Sequence, residues 1–201
     1  MTTPQDLLIV ALDAPPASRP AQGDLSLALA GAELLDLLEV GALVVEDDRV
    51  VPSAERVTGD VLLDGAAASL VRQTPYETVE DWLWRRGRGL ADAYATALEE
   101  QEQPAGTRRH WLRRRSAPAS PPDSPARRRA ADRWAAREPV LVGLADALGI
   151  EDPPPVDPEE IADDSVVTVL AAVGEALTEL EGVRQRHRIE EDAYDNVWRA
   201  P

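Results

Sequence analysis

DLSLALAGAELLDLLEVGALVVEDDRVVP, residues 24–52, decides the fold. Its first seventeen residues open at Asp24, a good helix cap, and are apolar on nearly every side. A helix of that kind is buried centrally rather than laid on a surface. Leu34, Leu35 and Leu38 are therefore expected inside. Gly41 ends the helix, and ALVVEDDRVVP reads as a tight β-hairpin turning at Asp47-Asp48. A central helix needs helical neighbours, and the rest of the chain supplies them. Residues 5–13 (QDLLIVALD) read as a short helix, closed by Pro15, Pro16 and Pro20. Thr58 caps a helix from about Asp60 to Gln73, and Thr78 caps another, with Asp81 completing a weaker capping box. Gly87 and Gly89 break or kink that helix before LADAYATALEEQ.

Farther along, residues 103–126 carry five prolines and look like a linker, hairpin or irregular loop around RRHWLRRR. A helix covers roughly 125–137, and Pro139 opens its continuation to about Leu148. EDPPPVDPEE, with 151–158 at its centre, is linker-like. Residues 164–182 show the clearest helical period, with Val166, Leu170, Val173, Leu177 and Leu180 on one face, and a polar helix continues to about 198. The expectation is a mainly α fold: residues 1–201 as one compact helical domain, with a small β-hairpin and a basic loop or hairpin on one face.

Composition narrows the chemistry. At 201 residues with 44% hydrophobic and 29% charged residues, the chain has the balance of a globular protein. No apolar run approaches the ~18–20 residues of a membrane span, and MTTPQDLLIVALDA lacks the marks of a signal peptide. These point to a cytoplasmic protein. Cysteine is absent, so disulfides and thiolate metal sites are excluded. His110 and His187 stand far apart, with no partner at metal spacing. No phosphate loop, nucleophile elbow or paired carboxylate in an apolar setting is present. The expectation is no enzyme, no cofactor and no metal. All basic residues are arginine, which reads as the codon bias of a GC-rich bacterial genome.

The net charge is −16 and unevenly spread. Residues 85–137 hold 13 arginines against six acids, about +7. Such polarisation disfavours nucleic-acid wrapping by the whole surface but allows binding through one basic face. The arginines of 85–88, 108–115 and 127–133 are expected to converge there. Arg85, Arg86 and Arg88, interrupted by Gly87, make the best local anion site, since guanidinium forks match phosphate geometry; the alternative is a solvated patch paired with acids. In RRHWLRRR, Trp111 and Leu112 sit inside a ring of arginines that includes Arg113 and Arg114. That is the pattern of an interfacial membrane anchor, against packing of Trp111 on the core or stacking on nucleic acid bases.

TGDVLLD (Thr58 to Asp64) followed by PYETVEDWL (Pro75 to Leu83) resembles the Golgi phosphoprotein 3 family, in its bacterial type. LLIVALD and GAELLDLLEVGALVVEDDRV are similar to that family's opening helix, second helix and hairpin. The resemblance implies a mostly α-helical, non-enzymatic adaptor that docks reversibly on membranes by binding phosphatidylinositol 4-phosphate and inserting a hairpin. Carried over residue by residue, it puts Ala21 and Ala30 where the family uses tryptophan and arginine. Arg88 and Ala91 stand where it uses two further arginines. An anionic, phosphoinositide-like lipid is the expected partner; a soluble protein–protein scaffold that keeps the fold without lipid binding is the alternative.

Overall fold

The computed structural model describes residues 2–54, 56–102, 124–150 and 163–198, with side chains as far as Glu190. The fold is mainly α. Among the described residues eight α-helices run in the order α1 (Thr3–Asp13), α2 (Gln22–Glu39), α3 (Val61–Ala68), α4 (Val79–Arg86), α5 (Leu90–Glu102), α6 (Pro125–Ala135), α7 (Pro139–Ala147) and α8 (Asp164–Trp198). Between α2 and α3 lies an antiparallel hairpin, β1 (Leu43–Glu46) and β2 (Arg49–Pro52), pairing Leu43 with Pro52 and Glu46 with Arg49. Asp47 opens its turn at φ 56°, a left-handed conformation that aspartate adopts more readily than most residues.

Helix α2 is the axis of the molecule, as its composition demands. Every residue from Leu25 to Leu37 is buried, Leu34 and Leu35 among them, and Leu38 packs against the core. Helices α1, α3, α4, α5, α7 and α8 and strand β1 all contact it. The start differs from the sequence reading: α2 begins at Gln22 with Ala21 as cap. Asp24 lies in the first turn and accepts two hydrogen bonds from the Arg184 guanidinium of α8, at 2.7 and 2.8 Å. A tertiary ion pair takes the carboxylate that local pattern assigned to capping.

Two closest approaches set the packing. Gly31 faces α8, and a Cβ there would stand 2.4 Å from Val173 Cγ2. Trp82, with no exposed surface, donates its indole N–H to the Ala30 carbonyl at 3.0 Å. On α8 the most buried positions are Val169, Val173 and Ala176, flanked by the half-buried Val166, Leu170, Leu177 and Leu180. The buried stripe is thus centred beside the row that the periodicity picked out.

Other boundaries also moved. Asp60, not Thr58, caps α3, accepting from the Leu62 and Leu63 amides. Thr58 instead binds the Asp64 carboxylate through both its amide (2.7 Å) and its hydroxyl (2.8 Å). Helix α3 stops at Ala68, five residues early, because Ser69 back-bonds to the Ala66 carbonyl and Leu70 turns into the core. Thr78 caps α4 with the complete box, Asp81 returning to its amide. Pro125 and Ala126, at the end of the linker-like stretch, open α6, whose cap is Ser124. The remainder of 103–126, and 151–158, lie outside the described residues.

Asp36 of α2 accepts the Thr3 amide at 2.8 Å, holding the start of α1. Burial pushes its carboxyl up to about 6, against the opposing pull of that hydrogen bond and of Arg133. The unfolded carboxyl titrates near its ordinary 3.8, so between those two values the folded chain binds the extra proton. This group's contribution to stability therefore rises as pH falls through about 6 and levels off below about 4. Urea unfolding at pH 7.5 and 4.5 should show wild type gaining ~2 kcal/mol more than Asp36→Asn on acidification. Gly31→Ala should cost ~1–3 kcal/mol in the same assay, because Val173 is packed and the added methyl has nowhere to go.

Candidate functional site

The sequence-predicted anion site falls on the end of α4 and its junction with α5. Two of its three arginines are paired with acids. Arg86 makes a two-pronged ion pair with Glu33 of α2, Nε to Oε2 at 2.7 Å and an amino group to Oε1 at 2.8 Å, and donates again to the Leu62 carbonyl at 3.1 Å. Glu33 has no exposed surface. Desolvation raises its pKa, opposed by Arg86 and by the Tyr94 hydroxyl, which donates to Oε1 at 3.0 Å. Arg85 reaches back two turns to Glu77, at 2.7 to 3.0 Å, and to the Ser69 carbonyl. It lies over the Trp82 ring, 5.1 Å from the centroid. Each guanidinium fork is already filled by a carboxylate, the geometry a phosphate would need.

Arg88 is different. It is exposed and, among the described residues, has no ion-pair partner. Two glycines hold it there. Gly87 lies against α2, where a Cβ would meet Leu27 Cδ2 and the Ser26 carbonyl at 3.3 Å, and it would meet the Leu83 carbonyl of α4 itself at 2.7 Å. Gly89 has φ +71°, which lets the chain turn into α5. The Ala91 amide then donates to Ser26 Oγ at 3.1 Å, fixing the junction on α2. Arg88 overlooks a groove of about 400 Å³ lined also by Gln22, Ser26, Leu27, Trp84 and Leu180. Gln22 donates to Asp92 at 2.6 Å beside it.

Of the other positions where the resemblance called for lipid-binding side chains, Ala21 is exposed at the cap of α2 and two are closed. Ala30 is fully buried and Ala91 5% exposed. Trp111, Leu112, Arg113 and Arg114 lie outside the described residues. The third basic cluster is engaged with α1. Arg129 and Arg133 both bind Asp6, at 2.6 and 2.7 Å. Arg133 also binds Glu138, and Arg127 binds Asp13 and Glu102. Pairing thus takes up Arg85, Arg86, Arg127, Arg129 and Arg133, on acids of α1, α2, α5 and the loops, with Asp6 shared by Arg129 and Arg133. Among the described residues, most arginines of 85–137 join one element to another.

Sequence reasoning missed the groove partners Gln22, Ser26, Trp84 and Leu180, which only tertiary packing brings together. It had one usable signal for the rest. Glu33 is the single acid between Leu25 and Leu35 in an otherwise apolar helix, and a carboxylate buried there requires a cationic partner. Among the described residues no group of His, Asp and Glu could hold a metal ion, and no helix is long and apolar enough to cross a membrane.

The two ion pairs differ in burial, so they should differ in worth. Arg86→Ala leaves Glu33 buried and unpaired and should cost ~3–5 kcal/mol in chemical denaturation. Arg85, with 42% of its side chain exposed against a Glu77 that is 8% exposed, should cost less, ~1–2 kcal/mol, when changed to alanine. Equal losses for the two would refute the assignment of Arg86 as the structural clamp.

A search of curated proteins returned no match. The profile of the family described as Golgi phosphoprotein 3 (GPP34) matches residues 4–189, which include α1 to α7 and most of α8. The central helix, the hairpin, the Asp60-capped helix α3 and the Thr78-capped helix α4 are the elements that carried the resemblance, and the chain belongs to the Golgi phosphoprotein 3 (GPP34) family.

Proposed function

We propose that this chain is a non-enzymatic peripheral membrane adaptor that binds anionic lipid headgroups of the phosphoinositide class. The observation that carries this reading is Arg88, an exposed cation without an ion-pair partner among the described residues, held by two glycines over a groove. Family membership supports it. Arg85 and Arg86 act in it as positioning residues: they anchor the end of α4 and so the junction that displays Arg88. Trp111 and Leu112, with Arg113 and Arg114 around them, supply interfacial insertion on the strength of their sequence pattern.

Binding of this kind is weak and reversible. Each arginine near an anionic surface contributes ~1 kcal/mol, screened within about 8 Å at physiological salt. Insertion of Trp111 and Leu112 adds ~2–3 kcal/mol. Alanine at 21, 30 and 91 leaves few side chains to shape a headgroup-selective pocket. That same feature, with the internal pairing of Arg85 and Arg86, favours the second reading, a protein–protein scaffold without lipid binding.

Vesicle flotation separates the two. Wild type should float with anionic vesicles at low salt and lose most of that binding at physiological salt. Arg88→Ala should weaken binding about fivefold without lowering the melting temperature, and Trp111→Ala should weaken it further. Absence of binding at low salt would sink the membrane reading in favour of the scaffold. Salt-insensitive binding to phosphatidylinositol 4-phosphate alone would mean a shaped pocket and defeat the weak, point-charge account.

A further inference from the structure

On another part of the molecule, the C-terminal ends of α1 and α6 enclose a second groove, of about 430 Å³. Its floor is apolar and nearly inaccessible: Ile9, Ala14, Ala130 and Ile150 are each exposed by 6% or less. Trp134, half-buried, forms a wall. The volume lies within the ~300–1,000 Å³ of small-molecule sites, which pair an apolar lining with a few placed polar groups.

Two charged residues stand at the rim, Asp13 and Arg137. Asp13 is paired with Arg127 at 2.7 Å, a guanidinium that it shares with Glu102. Arg137 is exposed and has no ion-pair partner among the described residues. Its backbone is unusual. Helix α6 ends with the Arg137 amide bonded to the Trp134 carbonyl and the Glu138 amide to the Arg133 carbonyl, the paired closure that places one residue in the left-handed region. Glycine or asparagine normally fills that place; here arginine does, at φ +55°. A strained arginine at the mouth of an apolar groove is an outlier of the kind that accompanies ligand sites.

We propose that this groove binds a small amphipathic carboxylate, its apolar body against Ile9, Ala130 and Trp134 and its carboxylate on the Arg137 guanidinium. Charge complementarity selects the class. Among the described rim groups Arg137 is the cation without an ion-pair partner, which suits an occupant with a negative end. The side chains of the floor are apolar, which suits an apolar body behind that charge.

The test uses the full chain and decanoate below its micelle concentration, followed by calorimetry and tryptophan emission. Decanol serves as the uncharged comparison. Arg137→Gly removes the guanidinium and relaxes the backbone, so the variant should melt no lower than wild type. Saturable one-to-one binding of decanoate is expected, weakened at least fivefold in Arg137→Gly, with decanol affinity unchanged. Arg186→Ala, which removes an exposed arginine of α8, should leave decanoate binding as it is. The proposal is overturned if wild type shows no saturable binding, if Arg137→Gly binds decanoate as well as wild type, or if Arg186→Ala weakens it equally. Tighter binding of a hydrophobic tripeptide with a free C-terminus would also overturn the small-molecule class and assign the groove to a chain end.

Discussion

A carboxylate without solvent, Glu33 on the central helix, is the constraint around which the rest of the molecule is arranged. An isolated buried charge is too costly to persist. Its cost here is offset by the Arg86 fork and the Tyr94 hydroxyl. Arg86 ends α4 and Tyr94 lies in the second turn of α5. One side chain on α2 therefore fixes where α4 stops and how α5 returns across it. The Leu62 carbonyl brings the first turn of α3 to the same guanidinium. Hydrophobic burial gathers these helices, but it is non-directional. The ion pair supplies the register.

The same economy governs the other arginines. In a chain of net charge −16, acids outnumber cations, and a cation near an acid-bearing helix tends to be captured. Asp6, 1% exposed, holds Arg129 and Arg133 and so ties α6 to α1. Asp24 holds Arg184 and ties α8 to α2. These pairs are bridges between elements distant in sequence. Arg88 escapes capture because its glycine-flanked backbone projects it away from the helix ends, on a segment pinned to Ser26. A family resemblance that carries a binding role onto a cluster of arginines thus needs the fold to say which of them remains available.

What the sequence determined by itself was which local elements form and in what order. The largely apolar run of 24–40 predicted the central helix, because such a helix is buried rather than laid on a surface. Gly41 and Asp47-Asp48 predicted the hairpin, Thr78 with Asp81 predicted the start of α4, and Gly87 with Gly89 predicted its break. TGDVLLD and PYETVEDWL carried the family. Tertiary structure alone decided what each charged side chain does. Asp24 and Thr58 are good caps by propensity, yet Arg184 and Asp64 claimed them, because a partly buried ion pair or a doubly bonded carboxylate outweighs a weak local preference. Arg85, Arg86 and Arg88 are near-identical on the page. Their fates differ because helix phase aims the first two at Glu77 and Glu33, and two glycines carry the third past the helix end. Those distances join residues up to 53 positions apart, which no local pattern encodes.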